Sequence, residues 1–209
     1  ESLVRGKRTA GPVIVVRNGA AAPAAGEAFA KAADALRGKI RERSALFVGS
    51  AHMPNVEAAR CITEQIAPKC GDVQFHLMGP ICNAVLEAPS NVCLWGVTDD
   101  ATKSAVMSAC ALAVNPMLSG SGSNVKLADY LGHGLYAITT EFGRRGYPPS
   151  IGDHVEVAAI ERFHEAIRSA LKRPELFSSK ARQARRELFF REFALDGLAG
   201  RFVDTLRGL

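Results

Sequence analysis

Asn115-Pro-Met-Leu-Ser-Gly-Ser-Gly-Ser-Asn-Val-Lys126 is the stretch that decides how this chain reads. An apolar run, Ala111 to Val114, precedes it and reads as a buried strand. Val125-Lys-Leu-Ala-Asp-Tyr-Leu131 follows and reads as a helix. Gly120 and Gly122 let the turn between them be tight and leave room for a ligand beside the main chain. Ser123 or Asn124 can cap the helix. The free N–H groups at its start and the positive end of its dipole attract an anion. Lys126 falls in the first helical turn, where a cation opposes the dipole by ~0.3–1 kcal/mol. A bound phosphate turns that penalty into an attraction. Asp129 lies three residues on, one turn deeper on the same face. Phosphate donors followed by a carboxylate suit a nucleotide, with the diphosphate at the helix start and the ribose hydroxyls on the acid. The plainer reading is an ordinary loop with Lys126 pointing to water.

The rest of the chain repeats this unit. Ala45–Val48, Val73–Met78, Asn91–Trp95, Ala111–Asn115 and Leu135–Thr140 read as strands, with His154–Val157 a last short one. Helices are expected over Val56–Ala67, Ile81–Glu87, Asp100–Ala109, Val125–Leu131 and Ile160–Lys172, then over Pro174–Phe190 and Leu195–Leu206. Asp99 or Thr98 is the expected cap of the third strand's helix. Near the start, Pro12–Arg17 reads as a strand and Glu27–Leu36 as a helix or partly ordered linker. Strands alternating with helices predict an α/β fold, a parallel sheet with helices on both faces. Ligands of such sheets bind beyond the carboxyl ends of the strands. The loops Gly49–Asn55, Gly79-Pro80, Gly96–Thr98, Asn115–Asn124 and Glu141–Tyr147 leave those ends and are expected to line one cleft.

Composition narrows the class. The 209 residues are 47% hydrophobic and 22% charged, enough for a full core and unlike a disordered chain. No apolar run approaches the ~20 residues of a membrane span. The chain opens at Glu1 without a basic n-region or an apolar h-region, and reads as an excised or processed segment with no secretory signal. Five cysteines, Cys61, Cys70, Cys82, Cys93 and Cys110, form no Cys-x-x-Cys pair and no zinc pattern. They suit reduced, mostly buried thiols in a cytoplasmic protein. No metal site and no nucleic-acid partner are expected. The net charge of +5 agrees with an anionic ligand.

Five segments, taken together, resemble a known family. They are Ile14–Gly19, Phe47–Ala58, Val92–Val97, Val114–Gly134 and Thr139–Gly146. Their order and spacing resemble the C-terminal half of a group 1, family 4 glycosyltransferase of GT-B fold, from about Val13 to Ala170. The resemblance implies a Rossmann-like nucleotide-sugar-binding core over 45–172, a junction strand and linker over 1–44, and extra C-terminal helices over 173–209. It implies a nucleoside-diphosphate sugar as donor substrate and no cofactor. Gly49 and Ser50 would then lie against the donor diphosphate, with Asn55 near it. Gly96 and Val97 would hold the base. Ser121, Gly122, Ser123 and Asn124 would cradle phosphate with Lys126 as their cation, and Asp129 would hold the ribose hydroxyls. Leu118-Ser119 stand where many members carry a glutamate that contacts the donor sugar, Asp129 where a glutamate is usual, and Ser50 where many have arginine. The family's acceptor-binding N-terminal domain has no counterpart in this sequence. The C-terminal helices would therefore expose an apolar patch, and the chain alone would not transfer sugar.

Other residues have plainer readings beside functional ones. His52 is a candidate for the diphosphate or sugar, and as a loop histidine has other uses. His76 and Trp95 read as structural, and His133 as a cation welcome at a helix C-terminus. Arg144 and Arg145 suit a phosphate or only water. Glu141 follows Gly120 at the spacing of an acid that holds an NAD ribose, which makes an NAD-dependent oxidoreductase one alternative. Val125, however, stands where that motif needs its third glycine. A non-catalytic nucleotide-sugar-binding module is the other alternative, since no residue is a convincing base or nucleophile. The basic run through Lys172, Arg173, Lys180, Arg182, Arg185, Arg186 and Arg191 reads as a solvated face over a core. It is also compatible with a peripheral contact at the inner face of a membrane.

Overall fold

A computed structural model of the chain describes residues 17–121 and 124–207. Six strands, β1 (Ser44–Val48), β2 (Gln74–Met78), β3 (Val92–Leu94), β4 (Leu112–Asn115), β5 (Tyr136–Thr139) and β6 (Val155–Val157), form one sheet. All pairings are parallel, in the order β3-β2-β1-β4-β5-β6. The order reverses between β1 and β4, which opens a crevice at their carboxyl ends. The glycine-rich loop leaves β4 at that point. The expected strand over Pro12–Arg17 falls, save for Arg17, outside the described residues.

Both faces of the sheet are buried, as parallel strands require. Side chains alternate between them with period two. Ala45, Phe47, Phe75, Leu77, Leu112, Val114, Tyr136 and Ile138 enter one core. Leu46, Met78, Ala113 and Ala137 enter the other. The first core is covered by α2 (Met53–Cys61) and α6 (Phe163–Ala170). The second is covered by α1 (Glu27–Ala35), α3 (Asp100–Ala109), α4 (Lys126–Gly132) and α7 (Ser179–Glu192). Helix α1 packs on α3, and α7 on α4. The short α5 (Glu141–Arg144) follows β5, and α8 (Leu195–Arg207) closes the described chain.

Several helix boundaries differ from expectation for local reasons. Helix α2 starts at Met53 because Pro54 fits its first turn, and it loosens to π spacing over Ile62–Ile66. The helix expected over Ile81–Glu87 is a 3₁₀ turn, Pro80–Ala84. The long basic helix breaks in two: a 3₁₀ turn at Pro174–Phe177, then α7, capped by Ser178, whose Oγ accepts from Ala181 N–H. Asp99 caps α3, accepting from Thr102 N–H at 2.7 Å. All five cysteines are free thiols. His76 is structural: its Nδ1 accepts from Trp95 Nε1 at 2.9 Å, and burial pushes its pKa down to about 4.

The basic stretch corrects the sequence reading. Arg182 and Arg185 point inward instead of forming a solvated face. Arg182 donates to the Ser108 and Cys110 carbonyls, satisfying the open end of α3. Arg185, 2% exposed, donates to the Gly134 and Leu176 carbonyls and lies over the Tyr136 ring. Burial lowers its pKa to about 10. Arg185→Met keeps the stem and strands two carbonyls, so it should cost about 2 kcal/mol of stability in denaturant unfolding. An unchanged midpoint would show that water replaces the guanidinium. On α8, Leu195, Phe202, Val203 and Leu206 remain substantially exposed, an apolar strip where one is expected. No helix among the described residues is long and apolar enough to cross a membrane.

Candidate functional site

The ends of β1 and β4 deliver Ser50, His52, Asn55, Ser121, Asn124 and Lys126 to one place. Beyond β1, the turn at Ser50 leads into α2, which carries Asn55 in its first turns. Asn55 is buried, and its Nδ2 donates to Ser50 Oγ at 2.9 Å and to the Ser50 carbonyl at 3.1 Å. Its Oδ1 accepts from Lys126 Nζ at 2.7 Å. Lys126, at the start of α4, also lies 5.7 Å from the centre of the Phe47 ring. Burial pushes its pKa down from the usual lysine value to about 8. No carboxylate offsets that charge at contact distance among the described ion pairs. A half-buried ammonium held by a neutral amide gains from an anion placed beside it.

Two cavities adjoin at Lys126 and Val125. The first, about 490 Å³, is lined by Ser50, His52, Pro54, Asn55, Met117, Ser119, Gly120, Ser121, Asn124, Phe142 and Arg145. Gly120 has φ +124°, so only glycine is comfortable there. Its carbonyl accepts from Arg145 Nη2 at 3.1 Å, and that guanidinium stacks on Phe142. The second cavity, about 500 Å³, lies between α3 and α4 and is lined by Asp100, Lys103, Ser104, Asp129, His133, Leu195 and residues 19–24.

Asp129 faces the second cavity under tight control. Lys103 Nζ donates to its Oδ2 at 2.7 Å, and His133 Nδ1 lies 3.4 Å from its Oδ1. His133 Nδ1 is 2.8 Å from the Asp129 carbonyl, and its Nε2 is 3.1 Å from Ser104 Oγ. The Asp129 carbonyl can only accept, so the proton of the neutral ring is on Nδ1 and Ser104 Oγ donates to Nε2 while accepting from Ala24 N–H at 3.0 Å. Burial lowers the His133 pKa. This corrects the sequence reading: His133 does sit at the C-terminus of α4, but as a neutral ring.

The other expected residues fall less simply. Asn124 lines the first cavity but does not cap α4; its Nδ2 donates to the Gly143 carbonyl at 3.0 Å, and α4 starts after Val125 without a side-chain cap. Gly122 and Ser123 lie outside the described residues. Gly49 is beside the site but not on its wall: its N–H donates to the Met78 carbonyl, and its carbonyl accepts from Ile81. Gly96 is likewise engaged, accepting from Gly79 N–H and donating to Cys82 Sγ. Gly96, Val97 and Gly79-Pro80 line neither cavity, and Val97 is exposed. The expected single cleft is therefore two cavities that share Lys126. Glu141 is exposed and pairs with Arg144, away from both.

Some residues on these walls were not singled out from the sequence. Lys103 and Ser104 depend on α3 lying beside α4, which follows from the strand order and not from any local motif. Met117 and Phe142 look like core residues and become walls only because their loops meet.

No protein-family model matches the sequence, and comparison with curated proteins finds no match. Solved structures do match. HepE from Anabaena, in complex with UDP-glucose, aligns with TM-score 0.67 at 12% identity, over 94% of this chain and 57% of that one. The fold is the Rossmann-like α/β fold that these solved structures contain. A glycosyltransferase from Rickettsia africae aligns with TM-score 0.66 at 13% identity, over 92% of this chain and 56% of that one. The pneumococcal O-GlcNAc transferase GtfA, in complex with UDP and GlcNAc, aligns with TM-score 0.53 at 13% identity, over 82% and 37%. At such identities the likeness is one of fold. The chain spans about half the length, or less, of these enzymes.

Proposed function

We propose that this chain is the nucleotide-sugar donor-binding domain of a group 1, family 4 glycosyltransferase whose acceptor site lies in another part of the protein. The observation that carries this reading is Lys126: a half-buried ammonium at the switch point of the sheet, between one cavity holding Asp129 and another holding Ser50, His52, Asn55 and the glycine loop. The ribose sits on Asp129, the diphosphate at Lys126 with Ser50, Asn55, Asn124 and the loop at Ser121, Gly122 and Ser123. The sugar extends past His52. Gly49 and Gly96 fix the tips of β1 and β3 beneath the ligand, and Val97 remains available to the base. Fold-mates crystallised with UDP-glucose and with UDP and GlcNAc support the ligand class.

The chemistry of this domain is electrostatic. Lys126 and main-chain N–H groups stabilise the charge that collects on the departing nucleoside diphosphate. Among the described residues neither cavity presents one arranged as nucleophile or general base, so activation of the acceptor falls to the rest of the protein. On this reading the chain alone binds donor and does not transfer it.

Calorimetric titration with UDP, GDP, ADP and NADH tests the proposal. One saturable nucleoside diphosphate supports it; binding of NADH alone contradicts it. The pH dependence is a second expectation. Phosphate beside Lys126 favours the charged amine, so its pKa rises on binding and the complex holds a proton that the free site releases near pH 8. Affinity should be flat below about pH 7 and fall above about pH 8, by up to about tenfold per pH unit. Lys126→Arg should remove that fall, because arginine does not titrate there. An unchanged pH profile in Lys126→Arg would assign the titration to another group.

A further inference from the structure

The loop that follows β5 braces the glycine loop along its length. Thr140 Oγ1 donates to the Met117 carbonyl. Asn124 Nδ2 donates to the Gly143 carbonyl at 3.0 Å. At the end nearest Lys126 stands Tyr147, whose hydroxyl donates to the Asn124 carbonyl at 2.6 Å and accepts from Ala128 N–H at 3.0 Å. Asn124 and Ala128 are four residues apart, the spacing of one α-helical bond. The hydroxyl therefore occupies the place of that bond and satisfies both of its backbone groups, which holds the start of α4 at Lys126. Val125 has no polar side chain with which to do so locally, and Ala128 is buried, where an unpaired N–H is costly. The tyrosine ring is held in turn by Phe193, with ring centres 5.4 Å apart. Burial pushes its pKa up, so the hydroxyl keeps the proton it donates. Without that hydroxyl, the Asn124 carbonyl and Ala128 N–H either close on each other, drawing the end of the glycine loop toward α4, or stay apart and unpaired. In both cases the backbone that carries Lys126 loses its fixed start.

We propose that Tyr147 is a positioning residue of the phosphate site: its hydroxyl sets the backbone from Asn124 to Ala128, and through it the place of the Lys126 ammonium. Asn55 holds that side chain at its tip, and Tyr147 holds it at its root. This rests on the donor-binding reading above and adds a residue that touches no ligand and acts only through Lys126.

The test is a double-mutant cycle read by calorimetry with UDP, GDP and ADP on the wild-type chain, Tyr147→Phe, Lys126→Ala and the double variant. Tyr147→Phe removes one oxygen and keeps the ring against Phe193, and a melting curve checks that it folds. Loss of the hydroxyl should lower affinity about three- to tenfold in the wild-type background. It should change affinity little in the Lys126→Ala background, where there is no ammonium left to place. A merely structural hydroxyl would lower the melting temperature and leave the affinity of the folded chain unmoved, and that result overturns the proposal. Equal fold-losses in the two backgrounds also overturn it, because they show general damage to the cavity. In both of these cases nucleotide binding by the wild-type chain still stands. Hydrogen exchange on the wild-type chain is a check that needs no variant: the Ala128 amide should be protected, and exchange as fast as an open first-turn amide overturns the role of the hydroxyl. If the wild-type chain binds none of the three nucleotides, the donor-site reading falls and this inference with it.

Discussion

Replacing Lys126 with alanine should lower nucleoside diphosphate affinity by about 100-fold, roughly the value of one charged group removed from a half-buried phosphate contact. The direction follows from the site. Lys126 Nζ is anchored by Asn55 at 2.7 Å, so the charge is held in place before a ligand arrives. The fold should survive the change. Burial of the ammonium already costs stability, as its lowered pKa indicates, and the alanine variant removes that cost. Against this, Asn55 Oδ1 loses its donor, though the amide keeps both bonds to Ser50. Calorimetry and a melting curve on the same sample check both halves. Wild-type affinity in the variant would place the phosphate elsewhere, and collapse of the fold would show Lys126 to be structural.

The second large effect is expected at Gly79, which follows β2 with φ +101°. A Cβ there would lie 2.4 Å from the Gly49 carbonyl oxygen, which is backbone and cannot swing aside. Gly79 N–H also donates to the Gly96 carbonyl, and Gly49 N–H to the Met78 carbonyl, so the tips of β1, β2 and β3 are knitted at three glycines. Gly79→Ala should cost about 2–4 kcal/mol, combining a left-handed alanine with a backbone clash. It should also weaken ligand binding, because Gly49 precedes Ser50, the residue that Asn55 grips. Gly71→Ala is the control, since nothing lies within 4 Å of a Cβ there. Equal stability of the two variants in urea would contradict this account of the strand tips.

The architecture was legible because period-two burial and the βα rhythm are local properties. Leu46 and Phe47, or Leu112 and Ala113, announce a strand buried on both faces without reference to the rest of the chain. Strand order is not local. Only when β4 lies beside β1 do Lys126 and Asn55 meet, across 71 residues of sequence. The glycine loop pointed to Lys126, but nothing near it pointed to Lys103, which reaches Asp129 from another helix. Arginines 182 and 185 looked like surface because sequence shows charge and not direction. Their targets, the carbonyls at the ends of α3 and α4, are invisible as sequence signals. His133 was placed correctly and charged wrongly, because burial outweighs the attraction of a helix terminus. The resemblance put the glycines at 49 and 96 against the ligand; in the structure their polar groups bond to Met78, Gly79, Ile81 and Cys82, at the tip of β2 and in the turn after it.

The central claim is that a nucleotide spans the two cavities with its phosphates at Lys126. The most direct measurement is a crystal structure of this chain with whichever of UDP, GDP or ADP titrates most tightly. The account predicts a phosphate oxygen within hydrogen-bonding distance of Lys126 Nζ and the ribose hydroxyls on Asp129. Phosphates bound away from Lys126, or a nucleoside outside the Asp129 cavity, would contradict it.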